Sequence, residues 1–144
     1  MNPLSNALLA ALLLTACSTG PSDDLEGARQ RWSSQHIDTY VITVRRSCFC
    51  GGPSETEIHV ENGTIRSIVD PATGAQLPVP LSPPYLDVEG LFATVATAIQ
   101  QPAASLTVTY NRDHGYPEQV SIDWIKNAAD DEVAYAVTHF RTGT

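Results

Sequence analysis

The sequence predicts an α+β domain in which a mostly antiparallel sheet carries two helices on one face. Apolar residues recur at helical spacing in two stretches, about 24–35 and 88–101, and alternate with polar residues between and after them. The order helix-strand-strand-strand occurs twice, in αβββ-like halves at about 25–70 and 87–141. A proline-rich link, 71–86, joins the two halves of what we expect to be a single domain.

The first helix has a capping signal and a narrow apolar stripe. Asp23 is a candidate N-cap, and Glu26 follows three residues later, as in a capping box. Leu25, Ala28 and Trp32 fall at helical spacing, with Trp32 as the main anchor in the core.

The second helix has the clearest helical pattern in the chain. Asp87 is a plausible N-cap, and Pro102 is expected to end the helix. The apolar positions between them are Val88, Leu91, Phe92, Val95 and Ile99. We expect Trp32, Phe92, Val108 and Ile122 to be buried where the helices meet the sheet.

Strands of the first half surround a predicted hairpin. Alternation from Tyr40 toward Cys48 indicates the first strand, and a second covers about 55–61. Asn62-Gly63 favours a two-residue type I′ turn. This turn would place Val60 opposite Ile65, Ile58 opposite Ser67 and His59 opposite Arg66. The expected core face is Thr56, Ile58, Val60, Ile65 and Val69, and the expected water face is Glu57, His59 and Glu61.

The second half repeats the alternation. Leu106, Val108 and Tyr110 indicate one strand, and a turn follows with Gly115 as its positive-φ residue. Two further strands are predicted on the residue sets Val120, Ile122, Trp124 and Val133, Tyr135, Val137.

The N-terminal stretch predicts export and lipidation. The apolar run 7–14 is too short to span a bilayer, which needs roughly 20 residues, but it fits a secretory signal. Leu14-Thr15-Ala16-Cys17 resembles the lipobox of bacterial lipoproteins. The resemblance implies a signal peptide at 1–16, acyl chains such as palmitate on Cys17, and lasting attachment to a membrane facing the periplasm or cell exterior. We expect a flexible tether at 17–24 and the domain at 25–144.

The charge balance restricts the partners. The formal net charge is −8, which makes nucleic acid a poor partner because such binding depends on Lys and Arg against phosphates. We therefore expect membrane contact through the lipid alone and, as a partner, an envelope protein.

Two cysteines remain if Cys17 is acylated. In a regular strand, the Cα atoms of Cys48 and Cys50 would lie about 6.7 Å apart, at the upper limit for a disulfide. Gly51-Gly52 directly after them permits a bend. We expect a disulfide between Cys48 and Cys50, with two free thiols, a metal pair and a redox centre as alternatives.

Other candidate chemistry is weaker. The four histidines have no metal-ligand spacing, although His59 could join the two cysteines from the next strand. Asn111-x-Asp113-x-Gly115 faintly resembles the start of a calcium loop but lacks the closing Glu. An acidic rim with Asp123, Asp130, Asp131 and Glu132 is possible; a solvated loop is favoured. No hydrolase or nucleotide motif is present, so we expect no catalytic residue, no metal and no cofactor.

Several short motifs in a fixed order carry a family resemblance. They are Arg31-Trp32, Tyr40, Cys48-Phe49-Cys50, Asn62-Gly63, Leu91-Phe92, Tyr110-Asn111, Gly115-Tyr116-Pro117, Ile122-Asp123 and Tyr135. Over about 31–140, the chain resembles a family of uncharacterised bacterial secreted and lipoprotein domains, a domain of unknown function. The resemblance supports the fold and implies no activity.

The sequence therefore favours a non-enzymatic, lipid-anchored envelope domain that binds a protein or another envelope component. The alternative is a thiol-redox or metal-handling lipoprotein that uses Cys48 and Cys50. A hydrolase is the third and least supported hypothesis.

Overall fold

A computed structural model of the protein describes residues 20–79, 85–128 and 130–143. Within these residues the chain forms two helices and seven strands. In chain order they are α1 Pro21–Ser33, β1 Tyr40–Cys48, β2 Glu55–Glu61, β3 Thr64–Val69, β4 Gln76–Leu77, α2 Val88–Gln100, β5 Ser105–Tyr110, β6 Pro117–Asp123 and β7 Val133–Thr142.

The strands form one sheet in the order β4-β3-β2-β1-β7-β6-β5. Each neighbouring pair is antiparallel, and the two halves meet where β1 pairs with β7. Both helices pack against the sheet, so the predicted α+β class is confirmed. The short strand β4 lies within the predicted proline-rich link. Residues 80–84 of that link lie outside the described residues.

Helix α1 begins earlier than the sequence patterns predict. Its first residue is Pro21, its N-cap is Gly20, and the carboxylate of Asp23 accepts a hydrogen bond from the Gly20 N–H at 3.3 Å. Proline is favoured in the first turn because its φ is preset and its missing N–H would have no helical partner there. The assignment of Asp23 as N-cap is therefore wrong, and residues 21–24 of the predicted tether are helical.

Helix α2 agrees with its pattern. The carboxylate of Asp87 accepts a hydrogen bond from the Gly90 N–H at 2.9 Å, which confirms the N-cap. The side chains of Leu91, Phe92 and Val95 are fully buried against the sheet. In the described part of the chain, neither helix is long and apolar enough to cross a membrane.

The core lies between the helices and the sheet. Trp32, Phe92 and Ile122 are buried as predicted. Trp32 also lies edge-on against the rings of Tyr40, Tyr116 and Phe140. The prediction for Val108 is wrong because this residue is only partly buried. Its strand, β5, is the outer strand of the sheet and has one neighbour, β6, among the described strands.

The β2–β3 hairpin has the predicted turn but a different register. Asn62 and Gly63 have φ values of 50° and 68°, as a type I′ turn requires. Val60 lies opposite Ile65, as predicted. A β-bulge after His59 then shifts the pairing.

The predicted partners beyond this bulge are wrong. His59 lies opposite Ser67 instead of Arg66, and Ile58 lies opposite Ile68 instead of Ser67. The shift also places Ile68 in the core, fully buried, in the position predicted for Val69.

Candidate functional site

The chain bends sharply at the end of β1. Cys48 is the last residue of this strand, and its Cα lies 5.2 Å from that of Cys50. The distance is shorter than the 6.7 Å or so of a regular strand, so the bend that the glycines were expected to permit is present. The two sulfur atoms lie at disulfide-bonding distance.

Phe49, between the two cysteines, is the most exposed large apolar side chain among the described residues. Its exposed fraction is 85%, compared with 62% for Ile125 and 48% for Val79. The ring is exposed because it lies beyond the end of the sheet. Phe49 is therefore an aromatic side chain that is held in solvent on a constrained turn.

Arg46 braces the loop that follows Phe49. Its guanidinium donates a hydrogen bond to the carbonyl of Gly51 at 2.7 Å, and its backbone N–H donates to Ser54 at 2.7 Å. Gly52 has a φ of 97°, and a Cβ at this position would lie 3.3 Å from the same guanidinium. The bend is therefore tied to the sheet by side-chain and backbone contacts as well as by the cysteines.

Arg46 has a second neighbour, the partly buried Tyr135. Tyr135 lies directly opposite Arg46 across the β1–β7 pair. Burial raises the pKa of the Tyr135 hydroxyl, and the positive charge of Arg46 opposes this rise. Tyr135 and Arg46 are therefore close enough across the two strands for the charge of the guanidinium to act on the hydroxyl.

A cleft of about 520 Å³ lies beside Phe49 at this end of the sheet. Val133 lies opposite both Cys48 and Ile122, which places the ends of β1 and β6 and the start of β7 together. The carboxylates that line the cleft belong to Asp123, Asp130 and Glu132. The cleft is therefore acidic, with one apolar ring at its rim.

One carboxylate at this end is incompletely paired. The Oδ1 atom of Asp123 is buried and has no hydrogen-bond partner among the described residues. The other such oxygen is Oδ1 of Asp131, whose Oδ2 accepts a hydrogen bond from the Ile125 N–H. A buried acceptor without a donor costs free energy, so a donor supplied from outside would be stabilised here.

The candidate metal partner of the cysteines lies elsewhere. His59 pairs across the sheet with Val41, seven positions from Cys48, which corresponds to about 23 Å along the strand. Its imidazole Nε2 contacts Glu57 Oε1 at 2.7 Å. The described residues contain no group of three or more His, Cys, Asp or Glu side chains placed to hold a metal ion.

The calcium-like loop has a structural role. Asn111 Oδ1 accepts hydrogen bonds from the N–H groups of Asp113 and His114 at 3.1 and 2.9 Å. Its amide donates to Glu118 at 3.1 Å. The Asn111 side chain therefore stabilises the β5–β6 turn. This turn is at the opposite end of β6 from Asp123. Asp113 in the turn and the carboxylates around Asp123 therefore do not form one acidic rim.

The face of the sheet away from the helices carries paired charges. Glu57 contacts His59 at 2.7 Å and Arg141 at 3.9 Å. Glu55 contacts Arg45 at 3.4 Å and accepts a hydrogen bond from the Thr138 hydroxyl at 2.9 Å. Because these carboxylates have cationic or hydroxyl partners, this face has the character of a solvated, ion-paired surface.

Among the residues predicted to carry function, Cys48 and Cys50 lie together at the exposed end of the sheet, and Cys17 lies outside the described residues. The sequence patterns did not predict the bracing role of Arg46 or the exposure of Ile125. One sequence feature could have indicated the role of Arg46. It is a charged residue at the position where the alternating apolar row of Tyr40, Ile42 and Val44 would continue.

The fold and this end of the sheet define a class of protein: a small α+β domain that holds an aromatic side chain in solvent between two adjacent cysteines. The chain belongs to the Family of unknown function (DUF6174), whose model matches residues 24–142. The expected resemblance to a domain of unknown function is confirmed in this respect. No curated protein matches the chain.

Proposed function

We propose that the protein is a lipid-anchored domain of the cell envelope that binds a partner protein through Phe49 and has no catalytic activity of its own. The observation that carries the proposal is the 85% exposure of Phe49 on a braced bend. Covering an aromatic side chain of this kind contributes roughly 1.5–3 kcal/mol. Because the bend is already fixed, little conformational entropy is lost when the partner binds.

The anchoring part of the proposal rests on the sequence before the domain. Cys17 follows an apolar run and small residues, and only three residues separate it from Pro21, the first residue of α1. A chain of four residues spans at most about 14 Å. The lipid would therefore hold the domain close to the bilayer, where its partner would be another envelope protein.

The non-enzymatic part rests on the surroundings of the titratable groups. The carboxylates of the open sheet face are ion-paired with Arg45 and Arg141, and no histidine is among the described residues that line the acidic cleft beside Phe49. Catalytic acids and bases are usually placed beside a group that tunes or accepts their proton. A binding role needs no such partner.

A thiol-redox role for Cys48 and Cys50 is the second candidate. The observation that favours it is the exposure of Cys50, which leaves the bridge open to attack by an external thiol. Metal handling by the same pair is the related possibility. In the binding proposal the two cysteines serve only to hold Phe49 in place.

Site-specific photo-crosslinking in native envelopes tests the binding role. A photoreactive phenylalanine analogue at position 49 should give one discrete crosslinked product. The same analogue at position 79 is the control, because Val79 is also exposed. It should give no such product, since Val79 follows β4 at the far edge of the sheet. No product from position 49, or the same products from both positions, would refute the proposed surface.

Thiol counting on envelope-purified protein separates the two candidates. The binding role predicts no free thiol at Cys48 and Cys50 and no change when a chelator is added. Two alkylated thiols that become available only with the chelator would favour the metal-handling role. A mixture of oxidised and reduced protein that follows the ambient thiol potential would favour the redox role.

A further inference from the structure

The two edges of the sheet differ in their protection. At one edge β4 has two residues and is followed by Pro78, which has no N–H to donate. At the other edge β5 has six residues without charge or proline, and β6 is its only partner among the described strands. A long, uncharged edge strand is a template for the addition of another strand.

The core side of β5 is also incompletely covered. Leu106, Val108 and Tyr110 are only partly buried, whereas Val120 and Ile122 on the adjacent β6 are each 1% exposed. A groove of about 330 Å³ lies along these β5 side chains, between them and the helices. Side chains from an added strand would fill this groove and complete the apolar layer.

Charge at both ends of β5 indicates the kind of strand that fits. Asp24 borders the groove near Tyr110. At the other end, Ser105 lines the Phe49 cleft together with Asp123 and Glu132. The edge is therefore uncharged along its length and acidic at its Ser105 end, whereas at the Tyr110 end Asp24 is accompanied by the cation Arg29. This distribution matches an extended segment with apolar residues in its middle and Lys or Arg at the end that reaches Ser105.

A second copy of the chain fits this surface less well. Antiparallel pairing of β5 with its own copy would place Asp24, near Tyr110 of each copy, toward the Ser105 end of the other copy, which Asp123 and Glu132 also line. Each copy also carries a formal net charge of −8. Like charges in close contact oppose association.

We propose that β5 accepts an extended, basic segment of the partner protein as an eighth strand. The inference rests on the proposed function, since the same partner would contact Phe49 beyond Ser105. The added strand would span about 20 Å along β5. Main-chain hydrogen bonds would supply much of the affinity, and alternate side chains in the groove would supply specificity.

Hydrogen exchange with a defined peptide tests the proposal on the purified domain. The probe is acetyl-KTVTVTVK-amide, and its control is the same peptide with N-methyl groups on its central six residues. The first peptide should slow exchange of the β5 amides that point away from β6 by about tenfold or more at saturation. The methylated peptide should have no effect because it cannot donate to the edge. If both peptides slow exchange of the β5 amides equally, or if neither does, the strand-addition proposal is wrong.

A pair of variants separates the edge from general charge effects. Thr107→Lys adds a cation on the outer strand and should lower the affinity for the peptide by about tenfold. Gln119→Lys adds the same charge to the same face of β6, which already has two neighbours, and should change the affinity less than about threefold. Equal weakening by both would mean that charge alone, and not strand addition, governs binding.

The Phe49→Ser variant distinguishes failure of this inference from failure of the proposed function. If crosslinking from position 49 succeeds but the peptide does not protect β5, the edge proposal fails and the binding role stands. If crosslinking fails while β5 is protected in both wild type and Phe49→Ser, the edge binds a strand and the Phe49 role fails. Protection of β5 that rises with protein concentration alone would assign the edge to a second copy and overturn the proposal.

Discussion

Gly115 lies against the backbone of Ala28, and a Cβ at position 115 would be 2.6 Å from the Ala28 carbonyl oxygen. The same Cβ would lie 2.9 Å from the Cβ of Arg31. Gln35 holds the contact from the other side, since its amide donates to the carbonyls of Asp113 and His114 at 3.0 and 3.3 Å. The β5–β6 turn is therefore docked on α1, which explains why a glycine precedes Tyr116.

Gly115→Ala should lower the free energy of unfolding by more than a positive φ alone would explain. Its φ of +87° costs an L-residue about 1–2 kcal/mol, and the overlap with α1 should add about 1–3 kcal/mol. Gly74→Ala is the matched control, because Gly74 has a φ of +72° and nothing within 4 Å of its Cβ position. Urea unfolding of the two variants measures the difference, and equal losses would mean that the turn relaxes away from α1.

Phe92→Ala should cost roughly 3–5 kcal/mol, because the ring is fully buried between α2 and the sheet. Val108→Ala should cost clearly less, since Val108 lies on the edge strand and is only partly buried. Chemical denaturation of both variants provides the comparison. A loss below about 1 kcal/mol for Phe92→Ala would show that α2 does not pack on the sheet as described.

The sequence predicted the elements well where periodicity and turn chemistry agree. Asn62-Gly63 correctly predicted the turn of the β2–β3 hairpin, and Asp87 correctly predicted the start of α2. The register beyond His59 could not be predicted, because a bulge inserts one residue without a signature in composition. The start of α1 was missed because Gly20 and Pro21 resemble linker residues, although Pro is also common in a first helical turn.

The candidate site was predicted in part. The adjacent cysteines and glycines indicated a bend around Phe49, and the structure contains it. The acidic cleft depends on contacts between Cys48, Val133 and Ile122, which lie far apart in sequence. Only the strand order of the sheet brings them together, and no local pattern encodes that order.

Cys48 and Cys50 should be oxidised to one disulfide in exported protein, as judged by mass after alkylation without reduction. Replacing both with serine should lower the free energy of unfolding by only about 1.6 kcal/mol on the chain-entropy model, because the closed loop is so short. The partner crosslink from position 49 should decrease more than stability does. A fold that collapses in the double variant would show that the bridge has a larger structural role.

Stability should fall at alkaline pH in part through Tyr110. Burial, reinforced by the carboxylate of Asp24, raises the pKa of the Tyr110 hydroxyl from 10.0 to about 12. In this window the unfolded chain loses the proton while the folded chain retains it. The contribution of Tyr110 is therefore complete below about pH 10 and is lost as pH rises toward about 12.

Tyr110→Phe should flatten this alkaline loss, and Asp24→Asn should lower the Tyr110 pKa, as read from tyrosinate absorbance. Asp130→Asn is the control, because Asp130 lies in the Phe49 cleft near the opposite end of β5. An unchanged alkaline limb in Tyr110→Phe would mean that the hydroxyl is not desolvated by the fold. The same shift from Asp130→Asn would point to net charge instead of the local carboxylate.

Cys17→Ser tests the proposed lipid anchor. Serine has no thiol to acylate, so the variant should remain unprocessed or leave the membrane fraction. Ser18→Ala changes a neighbouring hydroxyl and leaves the thiol, so it should be processed and remain attached. Membrane fractionation with and without detergent, together with the mass of the mature N-terminus, measures both properties. If Cys17→Ser matures and still requires detergent for release, the lipobox interpretation is wrong and another feature holds the protein to the membrane.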